Sequence, residues 1–437
     1  MKTSPFLSTS TVRETTTALA PIKVCMHVLA TASADARVMR AATALVEAGY
    51  AVSLVDIEDE RNHQSEKNIR GVCLNHVMVS QSFLSTRFDK WTLVRLAQLF
   101  VRSTLRVIQT PADMYHAHDV SALPACYIAA RLHHKPIIYD AHEMPLFERP
   151  LSEMGRSRRW LHKLLGVLLA HIIPRCAGII TVSPPIVEEI RKRYRVPEVI
   201  LIRSVPEYRS VPKSDRLRRS LGLKAKVRIA LYQGNLQPNR GLDRLVRAAK
   251  FLEQDNVIVM MGKNVGTTQA QLEALIASES VTDRVKILPP VPYAELLDWT
   301  ASADIGLNVA SPDYSLNVRY FLPNKLFEYL MAGVPVLTSP LEAMVDVVKT
   351  YDVGQVLSSL DPADISEAMN RMLSDPVGLA QQRSNALEAA RNEFYWEKES
   401  VKIIHLYQGI LQDGARRRSS DQHSTSSISV AKDKKSL

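Results

Sequence analysis

Apolar and polar positions along the chain fall into two long stretches that begin in the same way. In the first, the apolar run "PIKVCMHVLA" is followed by the polar loop "TASADAR", the helix-period segment "VMRAATALVEAGY" and the apolar run "AVSLVDI". In the second, "VRIALYQGNL" is followed by "QPNRG", "LDRLVRAAKFLEQ" and "NVIVMMG". Strand–loop–helix–strand units of this kind specify parallel sheets with helices on both faces.

Both stretches continue with short apolar runs that end in polar residues. The first adds "DMYHAHD", "KPIIYDAHE" and "AGIITVS", and the second adds "RVKILPPV", "ADIGLNVA", "VPVLTS" and "VGQVL". We therefore predict an α/β fold with two doubly wound Rossmann-like domains that face each other across a cleft. In such sheets, ligands bind beyond the carboxyl ends of the strands.

The predicted boundaries follow the breaks in this pattern. The N-terminal domain spans 21–207 and the C-terminal domain spans 208–392. The segment "SVPEYRSVPKSD" links them, because its prolines and charges suit neither a strand nor a helix. A closing helix occupies 393–414. The remaining segments, 1–20 and 415–437, are rich in Ser and Thr or in charge, and we predict that both are disordered.

Length and composition agree with a large globular protein. A chain of 437 residues is too long for one ordinary hydrophobic core. Its content of 46% hydrophobic and 23% charged residues is usual for a soluble globular protein. The four cysteines lie far apart in sequence, which indicates a reducing compartment with neither a disulfide framework nor a zinc site. Because residues 1–20 lack an export signal and no apolar run reaches the ~18–20 residues of a membrane span, we expect a cytoplasmic protein.

The net charge of +10 is unevenly distributed. Segments 156–177 and 83–106 combine Arg and Lys with long apolar stretches, and the tail from 415 carries six Lys or Arg against two Asp. Basic amphipathic helices dock on anionic lipid, so we expect peripheral contact with a membrane. The alternative is that each is an ordinary helix packed on the sheet. We expect no nucleic-acid partner, because aromatic residues are not interleaved with the basic ones and no recognised motif is present.

Three loops at the predicted carboxyl edge of the second sheet carry glycines and cations. Glycine lets the backbone approach a ligand, free N–H groups at a helix N-terminus favour anions, and Arg or Lys adds full charge. Together the loops predict a diphosphate cradle, with a glutamate placed to accept the hydroxyls of a ribose. Any one of these loops is typical of an ordinary turn, so the prediction depends on their coincidence. The candidate residues are Gly234, Asn235, Arg240, Gly262, Lys263, Asn324, Lys325 and Glu328.

Polar residues also follow the strands of the first domain. Side chains of these types position acceptor hydroxyls or take a proton. The candidates are Asp35, Arg37, His118, Asp119, Asp140, His142 and Glu143. Two histidines with carboxylates can also bind zinc, and His116 either joins such a site or packs in the sheet. Since the sequence has no Asp-x-Asp motif, we expect neither a metal nor a cofactor.

Several of these stretches resemble a known family. The segments "YQGNLQPNRGLDRLVRAAK", "ADIGLNVA" and "PNKLFEYLMAGVPVLTS" resemble the donor half of family 4 glycosyltransferases, and "YHAHDVSALPACYIAARL" and "YDAHEMP" look like the acceptor half. These are retaining enzymes of the two-domain GT-B fold that use nucleotide-sugar donors. The resemblance implies that the N-terminal domain binds the acceptor and the C-terminal domain binds the nucleotide sugar.

The resemblance also implies roles for single residues. Glu328 matches the glutamate that holds the donor ribose. Arg240 occupies the position where the family usually has a phosphate-binding Lys, and His118 matches a catalytic histidine beside the reacting carbon. Two positions depart from the family pattern: Tyr320 replaces a glutamate and Asn235 replaces a phosphate-binding Arg.

The implied function is a retaining glycosyltransferase that moves a sugar from a UDP- or GDP-sugar to a glycan or lipid-linked acceptor, in the synthesis of cell-surface polysaccharide or glycolipid. An epimerase of the same fold and a non-catalytic nucleotide-sugar-binding partner of another transferase remain alternatives.

Overall fold

The computed structural model describes residues 20–61, 67–80, 92–147 and 154–433. The predicted disordered segment 1–20 lies outside this part of the chain except for its last residue, and so do the first residues of segment 83–106.

The first domain is built on an eight-stranded sheet. Its order is β3-β4-β2-β1-β5-β6-β7-β8, and all pairs are parallel except β3 with β4. The strands are β1 Lys23–His27, β2 Ala51–Asp59, β3 Asn68–Ile69, β4 Val72–Val79, β5 Met114–His118, β6 Ile137–Ala141, β7 Gly178–Thr181 and β8 Ile200–Leu201. The helices are α1 Ala36–Glu47, α2 Thr92–Ile108, α3 Asp119–Leu132, α4 Arg156–Ile172 and α5 Pro184–Tyr194.

The second domain is built on a six-stranded parallel sheet of order β11-β10-β9-β12-β13-β14. The strands are β9 Arg228–Gln233, β10 Asn256–Met261, β11 Val285–Leu288, β12 Ile305–Asn308, β13 Val336–Thr338 and β14 Gly354–Val356. The helices are α6 Arg216–Ser220, α7 Leu242–Ala248, α8 Thr268–Ser278, α9 Leu296–Thr300, α10 Leu316–Tyr320, α11 Asn324–Met331, α12 Glu342–Thr350, α13 Pro362–Leu373 and α14 Pro376–Asn392.

Burial explains why these segments form a parallel fold. Every residue of β5, β6, β10 and β12 is buried, as expected for strands covered by helices on both faces. Helix α1 buries Val38, Ala41, Ala42 and Leu45, which lie on one face at helical spacing. The prediction of two doubly wound domains is confirmed. The sequence pattern did not predict the edge strand β3 or its neighbour β4.

The chain returns to the first domain at its end. The linker 204–215 contains neither helix nor strand, and the last helix, α15, runs from Trp396 to Asp433. Its Tyr407 is fully buried against Tyr50 of the first domain, with ring centroids 5.5 Å apart. The closing helix therefore follows the second domain in sequence but packs on the first domain.

Helix α15 is longer than the sequence indicates. It continues past residue 414 into the stretch for which the sequence predicts a disordered tail. Within the described ranges, no helix combines the length and the apolar character needed to cross a membrane.

Candidate active site

A cavity of about 790 Å³ lies between the two domains, at the carboxyl edges of both sheets. The second domain contributes all eight of the predicted donor-site residues: Gly234, Asn235, Arg240, Gly262, Lys263, Asn324, Lys325 and Glu328. The first domain contributes the segments Ala30–Thr31 and Ala34–Ala36, which follow β1. The structure thus brings together three loops that are far apart in sequence.

Two glycines allow the loops after β9 and β10 to approach each other. Gly234 has a φ of +126°, a conformation that favours glycine. A Cβ atom at Gly262 would lie only 1.9 Å from the carbonyl oxygen of Gly234. The backbone at this edge of the cavity is therefore open to close approach by a ligand.

Three cations line the same wall: Arg240, Lys263 and Lys325. The Lys325 ammonium lies 3.7 Å from the centroid of the Tyr232 ring. Burial lowers the pKa of Lys325 well below its usual value, and the neighbouring Arg240 acts in the same direction. A negatively charged ligand beside these groups would favour the protonated form of Lys325 and compensate the repulsion.

Glu328 is held at the floor of the cavity with a relative exposure of 7%. Its Oε2 accepts a hydrogen bond of 2.5 Å from Gln233 Nε2, and Thr300 Oγ1 donates to Gln233 Oε1 at 2.7 Å. Burial raises the pKa of Glu328, while Gln233 and the cations Arg40 and Lys325 act to lower it. The protein alone therefore fixes the position of the Glu328 carboxylate and balances part of its negative charge.

Helix α11 is fixed to the sheet by the residue after Glu328. The Tyr329 hydroxyl donates to the Leu231 carbonyl at 2.8 Å and accepts from the Gln233 amide at 3.0 Å. Because the first residues of α11 line the cavity and its N-cap, Pro323, provides no side-chain cap, the free N–H groups of the first turn add to the positive end of the helix.

Asp35 is the acceptor-side candidate that reaches this cavity. Its carboxylate caps α1 by accepting from the amides of Arg37 and Val38 at 3.0 and 3.1 Å. Its role in this structure is to start the helix.

Arg37 and Asp140 form a buried ion pair below the cavity. Arg37 Nη2 lies 2.6 Å from Asp140 Oδ1, and Arg37 Nε donates to Oδ2 at 3.1 Å. Burial opposes ionisation, but Arg37 and the neighbouring histidines hold the pKa of Asp140 well below its usual range. Neither side chain lines the cavity. Each balances the charge of the other, and their contact with an acceptor stays a prediction.

His118 and His142 meet at the ends of β5 and β6. His118 Nδ1 lies 3.1 Å from His142 Nε2, and His142 Nδ1 lies 3.3 Å from Asp119 Oδ2. His118 is fully buried, whereas the His142 side chain is 14% exposed. His118, which the sequence predicts to contact the donor sugar, is therefore the more deeply buried of the two. Neither His118 nor His142 lines the cavity.

The two imidazoles have opposite charge preferences. Burial lowers the pKa of His118 and favours its neutral form. Burial also disfavours the charged form of His142, but the carboxylates of Asp119 and Asp140 raise its pKa to about 9. Asp119 has a φ of +64°, which is uncommon for a non-glycine residue. The raised pKa of His142 favours its protonated form, and the lowered pKa of the adjacent His118 favours its neutral form.

His116, His118 and Asp140 bring ligand-type atoms within 4.8 Å of one another. The rings of His116 and His118 are stacked, with centroids 4.4 Å apart and an angle of 18° between planes. Nearly parallel rings cannot aim their in-plane lone pairs at one ion, and Arg37 occupies both oxygens of Asp140. His116 Nδ1 also lies 2.7 Å from the Tyr407 hydroxyl. This geometry fits packing in the sheet better than zinc ligation.

Helix α10 connects the two domains beside this cluster. Asn317 Nδ2 donates to Glu143 Oε2 at 2.9 Å, and the Met144 amide donates to Asn317 Oδ1 at 3.0 Å. Ser183 Oγ donates to the Tyr320 carbonyl at 2.5 Å. Glu143 thus takes part in an interdomain contact, and Tyr320 lies in the same contact rather than among the donor loops.

Sequence reasoning missed Gln233, Thr300, Tyr293 and Arg40. Gln233 is the last residue of β9, directly before Gly234, so its place at a strand end was a usable signal. The other three lie within or next to helices, and no local pattern marks them. Their relevance depends on how the domains face each other.

Two family models match the chain, one for each domain. The model described as Glycosyltransferase Family 4 matches residues 34–204, and the model described as Glycosyl transferases group 1 matches residues 213–393. The D-inositol 3-phosphate glycosyltransferase 1 of Catenulispora acidiphila is 27% identical over 79% of this chain and 83% of its own length. Alignments with several other D-inositol 3-phosphate glycosyltransferases span roughly half of those proteins.

Solved structures share the fold of the whole described chain. A sucrose-phosphate synthase from Thermosynechococcus elongatus superposes with a TM-score of 0.74 at 15% identity, over 90% of this chain and 100% of that one. Anabaena Alr3699/HepE, solved in complex with UDP and glucose, gives 0.68 at 14% identity, over 89% and 100%.

Proposed function

As the chain is a glycosyltransferase of family 4 with the two-domain GT-B fold, we propose that it transfers a sugar, with retention of configuration, from a UDP- or GDP-sugar to a glycan or lipid-linked acceptor. The observation that carries this proposal is the interdomain cavity of about 790 Å³ that is lined by glycines, cations and Glu328. Retention and the use of a nucleotide sugar rest on the family resemblance.

The donor would bind to the second domain. The first turn of α11, with Lys325 and Arg240, would hold the diphosphate, and Glu328 would accept the ribose hydroxyls. Backbone N–H groups and full positive charges favour an anion at a helix N-terminus. A UDP-containing neighbour with the same fold supports this placement. Since protein cations can meet the charge of the diphosphate, the proposal requires no metal.

The reaction would proceed at the edge of the first domain. The bond between the sugar's anomeric carbon and the diphosphate oxygen breaks, the acceptor oxygen bonds to the same face of that carbon, and the acceptor's proton passes to the leaving phosphate. His142, as the less buried member of the histidine pair, would orient the sugar, with Asp119 and His118 holding its ring.

The acceptor would be presented by a membrane or a large glycan. On α4, Trp160, Leu164 and Val167 are 67%, 51% and 71% exposed and lie on one face. Arg156, Arg159 and Lys163 are exposed on the same helix, which contains no Asp or Glu. A basic helix with exposed aromatic and aliphatic side chains is suited to an anionic lipid surface.

Turnover tests the proposal. We expect that a panel of UDP- and GDP-sugars, incubated with the protein and with candidate acceptors that include inositol phosphate and lipid-linked sugars, yields free nucleotide and a glycosylated product from one donor. Conversion of the donor into an epimer without loss of nucleotide would indicate the isomerase alternative. Tight donor binding without turnover under any condition would indicate a non-catalytic binding partner.

A further inference from the structure

Arg40 is a buried cation that the proposed reaction does not use. It lies on α1 of the first domain and is 7% exposed. Among the described residues no carboxylate lies within the 4.0 Å of an ion pair with Arg40. Its Nε atom is buried and has no hydrogen-bond partner in the same part of the chain. Because a buried charge without a partner is costly, its position needs a reason.

The contacts of Arg40 lead across the cleft. Its Nη1 donates to the hydroxyl of Tyr293, a residue of the second domain, at 3.3 Å, and its Nη2 lies 3.5 Å from Ser204 Oγ. The guanidinium also lies over the Trp396 ring, 5.7 Å from its centroid. Ser204 of the linker and Trp396 at the start of α15 therefore support the side chain, and Tyr293 connects it to the second domain.

Arg40 and Glu328 line one cavity of about 670 Å³, which adjoins the donor cavity. Glu328 and Tyr293 line both cavities, so they form the boundary between them. The positive charge of Arg40 acts to lower the pKa of Glu328, against the effect of burial. Arg40 and Glu328 therefore face the same cavity, and Arg40 does not line the donor cavity itself.

Lys325 also acts to lower the pKa of Glu328, but it differs from Arg40 in its position and in how well it keeps its charge. Its ammonium lies over the Tyr232 ring on the phosphate side of the cavity, and burial lowers its own pKa. A guanidinium keeps its charge when buried, because its ordinary pKa is above 12. Arg40 therefore remains a cation that can balance the Glu328 carboxylate, from the adjoining cavity that both residues line.

We propose that Arg40 is a positioning residue for ribose recognition: held by Tyr293 across the cleft, its guanidinium balances the carboxylate of Glu328 and so strengthens the hydrogen bonds that this carboxylate accepts from the ribose hydroxyls. The proposal rests on the proposed function, in which Glu328 binds the ribose. Recognition of the donor would then depend on contact between the two domains, since Arg40 on α1 and Glu328 on α11 belong to different domains.

Ribose discrimination tests this role. Isothermal titration with UDP and with 2′,3′-dideoxy-UDP gives the ratio of the two dissociation constants (GDP and its dideoxy counterpart serve if the wild type binds GDP more tightly). Hydrogen bonds to a charged group are worth ~1.5–3 kcal/mol, so we expect a ratio of roughly 10 to 100 for the wild-type protein. We expect the ratio for Arg40→Met to fall at least fivefold and that for Arg40→Lys to lie in between.

A matched control is available in the same cavity. Arg70 lines it too, but it is exposed and paired with Glu207 at 3.3 Å. We expect Arg70→Met to keep the wild-type ratio. If Arg40→Met does not fold, Tyr293→Phe, which removes the cross-cleft acceptor of Arg40, is expected to lower the ratio in its place.

The outcomes separate the two proposals. A wild-type ratio in Arg40→Met, or an equal loss of affinity for both nucleotides, would overturn the role of Arg40 while leaving the donor site in place. If instead the wild-type protein binds neither nucleotide, or Glu328→Ala keeps the wild-type ratio, the proposed donor site itself is wrong.

Discussion

Glu328 lies almost wholly buried at the cavity wall, with one carboxylate oxygen already bound to Gln233. We predict that Glu328→Ala weakens nucleotide binding by ~1.5–3 kcal/mol, because the ribose hydroxyls lose a charged acceptor. Titration calorimetry on the folded variant measures this loss. Glu342→Ala, at an exposed position on α12, is the matched control. Unchanged affinity in Glu328→Ala would remove Glu328 from the site.

The histidine pair leads to a second prediction. The sequence alone predicts that His118→Ala loses turnover in a stable protein, but the structure buries His118 completely. We therefore expect His142→Ala to lower kcat by roughly 10²–10⁴-fold with little change in nucleotide binding. We expect His118→Ala to lower the melting temperature in addition to kcat, because the substitution leaves a cavity and removes the contact to His142.

Turnover and melting temperature measured on the same preparations decide between the two histidines. A stable His118→Ala variant with lost turnover, next to an active His142→Ala variant, would restore the role that the sequence assigns to His118.

The raised pKa of His142 has a consequence for stability. A group whose pKa is higher in the folded state stabilises the fold fully below its unfolded pKa, and this contribution disappears as the pH rises through the folded value. For His142 the window runs from 6.5 to about 9. We predict that the difference in unfolding free energy between wild type and His142→Asn decreases by on the order of 3 kcal/mol across it. A difference that stays constant between pH 6 and 9 would contradict this assignment.

At the scale of single elements, α4 is unusual in the number of large apolar side chains that it exposes. We predict that the double variant Trp160→Ser, Val167→Ser reduces binding to anionic vesicles by at least tenfold, since each large side chain buried in lipid contributes ~1.5–3 kcal/mol. A sedimentation assay measures the bound fraction. Val377→Ser, which changes a residue 79% exposed on α14, is the control. Equal binding of all three proteins would place the membrane contact elsewhere or exclude it.

Single strands differ in how well the pattern of apolar residues predicts them. Strands such as β5 and β10 are buried on both faces, so they appear in the sequence as uninterrupted apolar runs. Strand β4 is next to the short edge strand β3 and interrupts its buried positions with half-buried or exposed ones, so it carries a weaker signal. The pattern also placed His118 and His142 at strand ends. The pattern could not predict that His118 is buried more deeply than His142, because the burial of a side chain depends on the neighbouring strand.

For the whole molecule, the sequence indicated residues that line the second-domain side of the cavity, whereas most of its first-domain candidates lie outside the cavity. Gly234, Lys325 and Glu328 are recognisable because each combines a special residue type with a strand end or a helix start. Arg37 and Asp140 are charged residues in equally suitable places, yet they neutralise each other. Arg40 and Tyr293 meet only when the two domains are placed face to face. Such pairings are properties of tertiary structure, so no local pattern could reveal them.

The central claim is that the cavity between the two sheets binds a nucleoside diphosphate through Glu328. Calorimetric titration of the full-length protein and of Glu328→Ala with UDP and with GDP tests it most directly. The account predicts that one of the two nucleotides binds the wild-type protein with a one-to-one stoichiometry, and that its affinity falls at least tenfold in the folded variant. Absence of binding by either nucleotide to the folded wild-type protein, or equal affinity for both proteins, would contradict it.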